Sequence, residues 1–589
     1  MKSRASFCDS TLLKKDITRF APLWALYTAF WMLAAFFTVQ DLGGVELEYR
    51  ASQAERLIKV LGTLGTVSSA IYAVMVAAML LRYLHNARSA YMMHAFPLNR
   101  STQFITHVIA GMLFFLVPQL LFTGALIIGL QLRSISLAAT LGLTLLGKQC
   151  LAWICFFGLA VFCMLLTGRT IIGVLSYGAI QFIGYVLPRM VCMLLSELFL
   201  GFAYRESVLG ELSPFLALVV QSSLPRLLIW AGIGVVALVA AWLHYRVRHL
   251  ERAGDAMVHT WAKVAFQLLF TVTAGLGLSF ILWMLFSGEP VARYPFVFLL
   301  FGAISFFLSW FGARMMLQRT IRVFDRKNWT GWALCVAALA VFVLGLRYDV
   351  LGSQRHVPNP ATITEARLTV SNYYSFNDSE HNIDHLPETP DLLIRDQDEL
   401  EQLAQANGTF LTEAVNARST RAFESREPTA QVAIRYRLSS GLTQTRIYEV
   451  PKSSDLGRTI AALCRKPEYA VAYYEARWPN DAEEGAFSWY VTTSASAQTE
   501  EDMENDYDGS TDKYYDTQNV VRFGSFRLAL VRQALIEDAK AGALPISNAL
   551  TWDDKDLGEL SVYPSEYNNL LQVNVPESAT HTVAVLSGK

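Results

Sequence analysis

Nine long apolar runs restrict what this chain can fold into more than any other feature of its sequence. A helix that crosses the hydrocarbon of a bilayer needs about 20 apolar residues. Runs of that order lie near residues 21–39, 60–81, 104–130, 141–166, 170–188, 226–244, 264–286, 294–313 and 331–347. In a bilayer every backbone amide must be satisfied within the protein, and apolar runs of this length satisfy theirs as helices. The sequence therefore predicts a polytopic α-helical membrane protein with about nine spans.

The charge distribution divides the chain close to Arg347. The first 347 residues carry 28 lysines and arginines against 13 aspartates and glutamates, whereas residues 348–589 carry 21 against 37. A polar stretch containing Pro358 and Pro360 follows the last apolar run. We therefore expect residues 351–589 to form a separate soluble domain.

Basic residues concentrate in alternate connections between the apolar runs. The basic connections are the N-terminus, residues 82–100, the turn at Arg169, residues 245–263 and residues 314–327. The connections between them carry fewer basic residues and several acidic ones. Because lysine and arginine mark the cytoplasmic side, these connections predict a cell-membrane protein with a cytoplasmic N-terminus. An odd number of spans then puts the C-terminal domain outside the cell.

Two shorter apolar segments, 190–204 and 213–225, lie between the fifth and sixth runs, and Pro188 breaks the first of them from the preceding run. If only one segment crossed the membrane, the later basic clusters would face outward. We therefore expect both to be re-entrant or interfacial parts of one outer loop. Eight tryptophans lie mostly toward the ends of the apolar runs and are expected to anchor the spans at the headgroups. They are Trp24, Trp153, Trp230, Trp261, Trp283, Trp310, Trp329 and Trp332.

The C-terminal domain has the pattern of an α+β fold. Residues 429–438 and 443–451 alternate in polarity on either side of a Ser-Ser-Gly-Leu turn, which predicts a β-hairpin. Residues 397–406, 454–465 and 526–541 have the apolar spacing of helices. Residues 498–518 are acidic and polar, which is typical of a mobile loop.

No motif in the sequence supports nucleotide or metal chemistry. Residues 142–149 (GLTLLGKQ) approach a phosphate-binding loop but end in Gln149 instead of a hydroxyl residue and lie in an apolar run. Residues 438–444 (LSSGLTQ) are similar to the signature loop of an ATPase but lie in the predicted hairpin turn. His381 and His385 have zinc-binding spacing without the general-base glutamate. Residues 504–515 imitate a calcium loop but lack its last ligand. The sequence predicts no cofactor, no metal site, no catalytic residues and no enzymatic activity of its own.

Lys148 is the strongest candidate for a residue that lines an internal pathway. It lies within the fourth apolar run, where an ionisable side chain is costly unless it faces a bundle interior or reaches the interface. Both readings, an internal pathway and a position nearer the interface, remain open from the sequence.

The connection from Arg82 to Gln103 has the composition of a docking element. A basic start, an apolar centre and a proline stop predict a short helix that lies across the membrane face and binds a partner. An ordinary basic loop is the alternative. The residues expected to contact the partner are Arg88, Tyr91, Met92, Met93, Phe96 and Pro97.

Three strings carry a resemblance to a known family: residues 89–119 (SAYMMHAFPLNRSTQFITHVIAGMLFFLVPQ), 12–31 (LLKKDITRFAPLWALYTAFW) and 245–257 (YRVRHLERAGDAM). They resemble the permeases of ABC-2 type transporters of Gram-positive anaerobes, and the tail from residue 346 resembles an extracytoplasmic domain appended to those permeases. The resemblance implies a six-span ABC-2 bundle over residues 1–245, three additional spans over 246–350, an amphipathic elbow at 9–20 and a coupling region at 82–103.

The resemblance also implies the function and the partners. The chain is expected to be the permease subunit of an ABC transporter, with ATP hydrolysed by a separate ATPase subunit and with a second permease, identical or different, completing the complex. Its other partner is membrane lipid, and no nucleic-acid partner is expected. The alternative is a membrane sensor whose extracellular domain binds a peptide or an antibiotic.

Overall fold

The computed structural model divides into two compact units, described separately below. The residues that it describes are 8–46, 49–96, 98–135, 137–220, 223–248, 257–287, 290–318, 320–371, 382–385, 391–420, 429–478, 487–491, 520–522, 525–546, 556–562, 571–576 and 578–587. The first unit comprises Met1–Cys192, Ser207–Gly288 and Phe296–Leu339. The second comprises Met193–Glu206, Glu289–Pro295 and Ala340–Lys589.

Thirteen α-helices precede the C-terminal region in the described residues. They are α1 (Ser10–Arg19), α2 (Ala21–Asp41), α3 (Arg50–Leu81), α4 (Ala87–His94), α5 (Arg100–Leu132), α6 (Ala138–Leu166), α7 (Thr170–Leu198), α8 (Glu206–Glu211), α9 (Pro214–Val219), α10 (Leu224–Val247), α11 (Thr260–Phe286), α12 (Pro295–Gln318) and α13 (Arg326–Arg347). Nine of these helices are long and apolar enough to cross a membrane, namely α2, α3, α5, α6, α7, α10, α11, α12 and α13. The nine apolar runs are therefore confirmed as helices of membrane length.

The predicted break at Pro188 is wrong. Helix α7 continues through this proline to Leu198, so most of the segment 190–204 prolongs the fifth long helix instead of forming a separate re-entrant piece. A proline removes one backbone donor from a helix and disfavours it in water. Apolar helices tolerate proline better, because neighbouring groups satisfy the freed carbonyl. The second segment, 213–225, contains only the six-residue helix α9 before α10 begins at Leu224.

Aromatic rings form the centre of the first unit. Tyr27 of α2 stacks on Tyr72 of α3 with ring centroids 3.9 Å apart, and Phe115 of α5 stacks on Trp153 of α6 at 4.4 Å. Trp153 also stacks on Phe157 at 5.3 Å. Offset aromatic contacts of this kind add to the apolar burial that holds helices together.

The prediction that the tryptophans anchor at the headgroups is wrong for at least two of them. Trp153 is only 1% exposed and lies inside the aromatic cluster, and Trp310 of α12 is 7% exposed in a smaller cluster with Phe311 and Val323. Position along an apolar run does not say which way a side chain points, and both rings point inward.

Helices α6 and α10 approach so closely that their backbones touch. A Cβ atom built on Gly158 would lie 2.2 Å from the carbonyl oxygen of Gly234, and one built on Gly234 would lie 2.3 Å from that of Ile154. Small residues at a crossing let apolar helices pack at short range, where dispersion forces replace the hydrophobic effect. Glycine is therefore required at both positions.

The second unit contains two antiparallel sheets and five helices among the described residues. Its elements are β1 (Ile363–Ser371), β2 (Leu392–Ile394), α14 (Gln397–Thr420), β3 (Thr429–Leu438), β4 (Thr443–Pro451), α15 (Asp455–Cys464), α16 (Pro467–Arg477), β5 (Phe487–Val491), β6 (Val520–Arg522), α17 (Ser525–Lys540), β7 (Asp556–Val562), β8 (Leu571–Pro576) and α18 (Thr580–Ser587). The strand orders are β2-β1-β3-β4 and β6-β5-β7-β8. The predicted α+β character, the hairpin and the three helices are confirmed.

The first sheet has one apolar and one polar face. Leu368 of β1 and Ile434 of β3 are directly opposite each other and lie in the core with Leu403 and Leu411 of α14. Successive side chains alternate between faces, so the intervening residues of β1 and β3 lie together on the other face.

Residues 199–206, predicted as part of an outer-loop re-entrant segment, belong instead to the second unit. Leu200 lies in that unit's core, and Gly201, at φ +75°, packs so closely on Tyr448 that a Cβ atom would lie 2.2 Å from the ring. The backbone N–H of Ile383 donates to the carbonyl of Tyr204 at 2.8 Å.

Candidate functional site

Helix α4 presents apolar side chains that the first unit leaves uncovered. Tyr91, Met92 and Phe96 are 54%, 60% and 46% exposed, whereas Met93 is half-buried. Arg88 is exposed at the beginning of the helix. The predicted coupling residues are thus brought together on one short helix and the turn after it, and Pro97 lies outside the described residues.

Helix α4 is held at both ends. Its N-cap, Asn86, accepts from the backbone N–H of Arg88 at 3.1 Å, which satisfies an otherwise unpaired donor. Near its other end the side-chain amide of Gln103, on α5, donates to the carbonyl of Met93 at 2.8 Å. Ala90 is 1% exposed and seats the helix on the unit. The exposed apolar residues of α4 are therefore held in a fixed position. We call α4, residues 82–86 before it and the side chains of other helices that hydrogen-bond to them the platform.

His85, just before α4, connects this platform to the ends of two long helices. One ring nitrogen, Nδ1, lies 2.9 Å from the hydroxyl of Thr170 at the beginning of α7. The other, Nε2, donates to the carbonyl of Met164 in the last turn of α6, also at 2.9 Å. That second bond requires the proton on Nε2, so in neutral His85 Nδ1 accepts from Thr170.

Arg248, immediately after α10, is the most connected side chain of the platform. It is 4% exposed and donates to the carbonyls of Leu165 at 2.8 Å, Thr167 at 3.0 Å and Leu84 at 3.5 Å. These carbonyls lie at the C-terminal end of α6 and in the turn after α3. The last carbonyls of a helix have no partner within the helix and carry partial negative charge. Burial lowers the pKa of Arg248 to about 10, so it remains a cation at neutral pH.

Further hydrogen bonds join α3, α5 and α10 at the same end of the unit. The hydroxyls of Tyr83 and Tyr245 lie 2.8 Å apart, and Tyr245 donates to the side-chain oxygen of Gln103 at 3.2 Å. Arg100, at the beginning of α5, donates to the carbonyls of Arg246 and Arg248 at 3.1 Å each. Gln103 therefore touches both α4 and α10.

The predicted amphipathic elbow is the helix α1, capped by Asp9, which accepts from the backbone N–H of Leu12 at 2.8 Å. Its Asp16 is buried and lies 2.7 Å from Nδ1 of His107 on α5. The Asp9 backbone N–H donates to the hydroxyl of Thr106 at 3.1 Å. Two neighbouring positions of α5 thus hold the elbow.

Sequence reasoning missed the residues that fix the platform, namely His85, Gln103, His107 and Arg248. Arg248 was counted among the basic residues that mark the cytoplasmic side. Its partners are main-chain carbonyls far away along the chain, and such acceptors leave no signature in a sequence.

Lys148 lines a groove of the first unit that α3, α6, α9 and α10 form and that has both apolar and polar lining residues. The groove has a volume of about 510 Å³ and is lined in part by Glu55, Lys59, Thr63 and Gln149. The side-chain amide of Gln149 is buried and has no hydrogen-bond partner among the described residues. A buried amide in this state costs free energy, so a polar solute or water in the groove would satisfy it. Lys148 is exposed in this groove, and its role in a pathway stays a prediction.

A second polar cavity lies within the second unit, on the polar face of the first sheet. This arginine-lined cleft has a volume of about 680 Å³. Its lining residues are Ala203, Arg205, Glu365, Arg367, Ile383, Arg435, Arg437, Gly441, Thr443, Gln444 and Thr445. No local pattern indicated this cleft, because its arginines come from three separate segments of the chain.

The remaining motifs fall in unremarkable places or outside the described residues. Residues 142–149 are part of helix α6, and residues 438–444 are the turn between β3 and β4, with Gly441 at φ +82°. His381, residues 498–518 and residues 504–515 lie outside the described residues. Among the described residues no three His, Cys, Asp or Glu side chains are grouped closely enough to hold a metal ion.

Comparison of the chain with protein-family models, with curated proteins and with solved structures found no match.

Proposed function

We propose that the chain is the permease subunit of a transporter whose ATP is hydrolysed by a separate ATPase subunit. The observation that carries this proposal is the platform at α4. An exposed apolar helix is hydrogen-bonded to Gln103 at the beginning of α5. Gln103 also bonds α10, and His85 just before the helix bonds the ends of α6 and α7. The basic residues predict this connection to be cytoplasmic.

The platform is suited to transmit motion. A rigid partner that pushes on α4 would displace Gln103 and His85, and through them the ends of four long helices, because each contact is a direct hydrogen bond. A ligand or partner shifts such a bundle only by binding one of its arrangements more tightly than the other. ATP binding in the partner would supply that difference.

The groove at Lys148 is the candidate pathway in this proposal. It combines two lysines, a carboxylate and an unsatisfied amide between long apolar helices. Ionisable groups in such a position are costly and occur where a solute or water is held. A second permease of the same or a related kind would complete the pathway, and lipid would surround both.

The test is purification of the tagged full chain from its native membranes. We expect an ATPase subunit to copurify in stoichiometric amount with the unaltered chain. Met92→Asp should reduce its recovery by at least about tenfold, because it places a charge at the centre of an apolar contact. Ile321→Asp is the matched control, since Ile321 is 76% exposed on another predicted cytoplasmic connection, and it should leave recovery unchanged.

Arg248→Gln separates binding from coupling. It leaves the exposed face of α4 intact and removes donors to the carbonyls of Leu165, Thr167 and Leu84. We expect the ATPase to copurify still, but the increase of its activity caused by the permease should fall. Equal recovery with Met92→Asp and with the unaltered chain, or absence of any ATPase, would contradict the proposal.

The second candidate function is a membrane sensor, and the arginine-lined cleft favours it. A polar cavity in the soluble unit is a place where a solute could bind without being transported. If no ATPase copurifies and Met92→Asp leaves function intact, the sensor becomes the better explanation.

A further inference from the structure

The arginine-lined cleft has an uncompensated charge. Arg367 of β1 and Arg435 of β3 are register partners, so they lie directly opposite each other on the polar face of the sheet. The next pair on this face, Glu365 and Arg437, is oppositely charged. Arg205 from the first segment of the unit completes the lining with a fourth guanidinium. The described residues that line the cleft thus include four arginines and one carboxylate.

The single carboxylate is already engaged. One oxygen of Glu365 lies 2.9 Å from a terminal nitrogen of Arg367 and 3.6 Å from one of Arg437, and its other oxygen lies 3.8 Å from Arg395. Among the described residues no carboxylate pairs with Arg435. Burial and the positive charges of Arg205 and Arg367 lower the pKa of Arg435, which is the response of a cation crowded by other cations.

Like charges directly opposite on a sheet destabilise it. Core packing does not require Arg367 and Arg435 to be opposite each other. Their side chains lie on the polar face, and the core is formed by residues of the other face. On β4, Thr445 is the register partner of Arg435. A threonine at position 435 would fit the same face without repulsion. The repulsion between Arg367 and Arg435 is relieved when an anion lies between the two guanidinium groups.

We propose that this cleft binds oxyanion groups, phosphate or carboxylate, supplied by a free solute or by a lipid headgroup. Guanidinium groups bind both kinds of oxyanion through paired N–H donors. The hydroxyls of Thr443 and Thr445, the register partners of Arg437 and Arg435, add neutral donors. A volume of about 680 Å³ lies within the range of sites for small molecules. This inference is independent of the proposed permease function.

The first test uses the full chain in nanodiscs of zwitterionic lipid, with inorganic pyrophosphate and citrate as probes. At least one probe should raise the thermal midpoint and bind in calorimetry, whereas sodium chloride at matched ionic strength should do neither. Arg435→Gln should weaken binding by at least about tenfold, since it removes a charged donor. Arg458→Gln is the control, because the side chain of Arg458 on α15 is 70% exposed and pairs with Asp455 at 2.8 Å.

The thermal midpoint without anion distinguishes a binding role from a structural one. If Arg435 serves to bind an anion, Arg435→Gln should leave the midpoint of the free protein unchanged or raise it, because it ends the repulsion from Arg367. Arg435→Glu should raise it further by pairing with Arg367 and should abolish the response to pyrophosphate and citrate. A lower midpoint for Arg435→Gln together with an unchanged response to both probes would overturn the proposal, as would the absence of a response to either probe in the unaltered chain.

A second lipid composition shows whether the oxyanion comes from a free solute or from a lipid. Nanodiscs that contain phosphatidylglycerol offer phosphate as a lipid headgroup. If this lipid stabilises the unaltered chain but not Arg435→Gln, and if it competes with pyrophosphate, the oxyanion is a lipid phosphate. If pyrophosphate or citrate binds equally in both lipids, it is a free solute. Either result supports oxyanion binding in the cleft, and neither depends on whether an ATPase copurifies.

Discussion

Two buried arginines perform the same task in the two units. Arg248 donates to carbonyls of Leu84, Leu165 and Thr167, and Arg446 donates to those of Ser353, Gln354 and His356 at 2.8 to 3.1 Å. A guanidinium has five donors in a fixed plane, so one side chain can satisfy several main-chain acceptors that would otherwise be buried unpaired. Each arginine thereby fixes segments that are distant in sequence.

The carboxylate of Asp538 caps a helix other than its own. Asp538, on α17, accepts from the backbone N–H groups of His581 at 3.2 Å and Thr582 at 2.6 Å, and lies 2.7 Å from Nδ1 of His581. It therefore caps the first turn of α18. Although its burial favours the neutral acid, these hydrogen bonds hold the pKa of Asp538 below its ordinary value, and the bond to Asp538 raises the pKa of His581.

These two pKa changes predict how stability depends on pH. A histidine with a raised pKa stabilises the folded state fully below its ordinary value of 6.5, and this stabilisation is lost as the pH rises through the raised value. The lowered pKa of Asp538 acts in the opposite sense, so its contribution is lost only in acid, below 3.8. We expect the thermal midpoint of the unaltered chain to exceed that of His581→Asn at about pH 5.5 and the difference to disappear by about pH 8.5.

The measurement is thermal unfolding of the full chain in detergent at a series of pH values. His356→Asn is the control, since His356 is an exposed histidine in the same unit, and it should show no such pH-dependent difference. A constant difference for His581→Asn across the pH range would mean that the ion pair with Asp538 does not form in solution.

At the scale of elements, the crossing of α6 and α10 makes a prediction with internal controls. Gly158→Ala and Gly234→Ala each put a methyl group within 2.3 Å of a backbone atom, so the helices must separate. We expect each to destabilise the folded protein by about 1–3 kcal/mol, the usual cost of overpacking. Gly147→Ala on α6 and Gly232→Ala on α10 meet nothing within 4 Å and should be neutral.

These four variants are compared by thermal unfolding under identical detergent conditions. If all four variants behave alike, contact between the helices at Gly158 and Gly234 is not the cause of the effect. Each helix therefore contains both a glycine in contact with the other helix and a control glycine with open space around it.

At the scale of the whole molecule, the predicted orientation is open to a direct test. If the basic connections are cytoplasmic, the second unit is outside the cell. Protease added to intact cells should then remove the C-terminal region, while a tag placed after Arg322, in the connection between α12 and α13, should be cut only after lysis. Protection of the C-terminal region in intact cells would reverse the orientation and place α4 on the outer side.

The orientation test also bears on both proposals. The platform at α4 can meet an ATPase only from the cytoplasm, so reversal would end the permease proposal. The arginine-lined cleft would keep its charge on either side of the membrane, and oxyanion binding would then concern a cytoplasmic solute.

The sequence by itself determined the long helices, the hairpin of residues 429–451 and the short helix at residues 87–94, because apolar periodicity, turn residues and caps are local signals. It failed at Pro188 and at Trp153, where neighbours in the bundle decide whether a helix continues or a ring turns inward. Only the tertiary structure brought Arg205, Arg367 and Arg435 into one cleft and seated Arg248 on the carbonyls of distant helix ends. Strand register and main-chain acceptors are set by long-range packing, which no local pattern records.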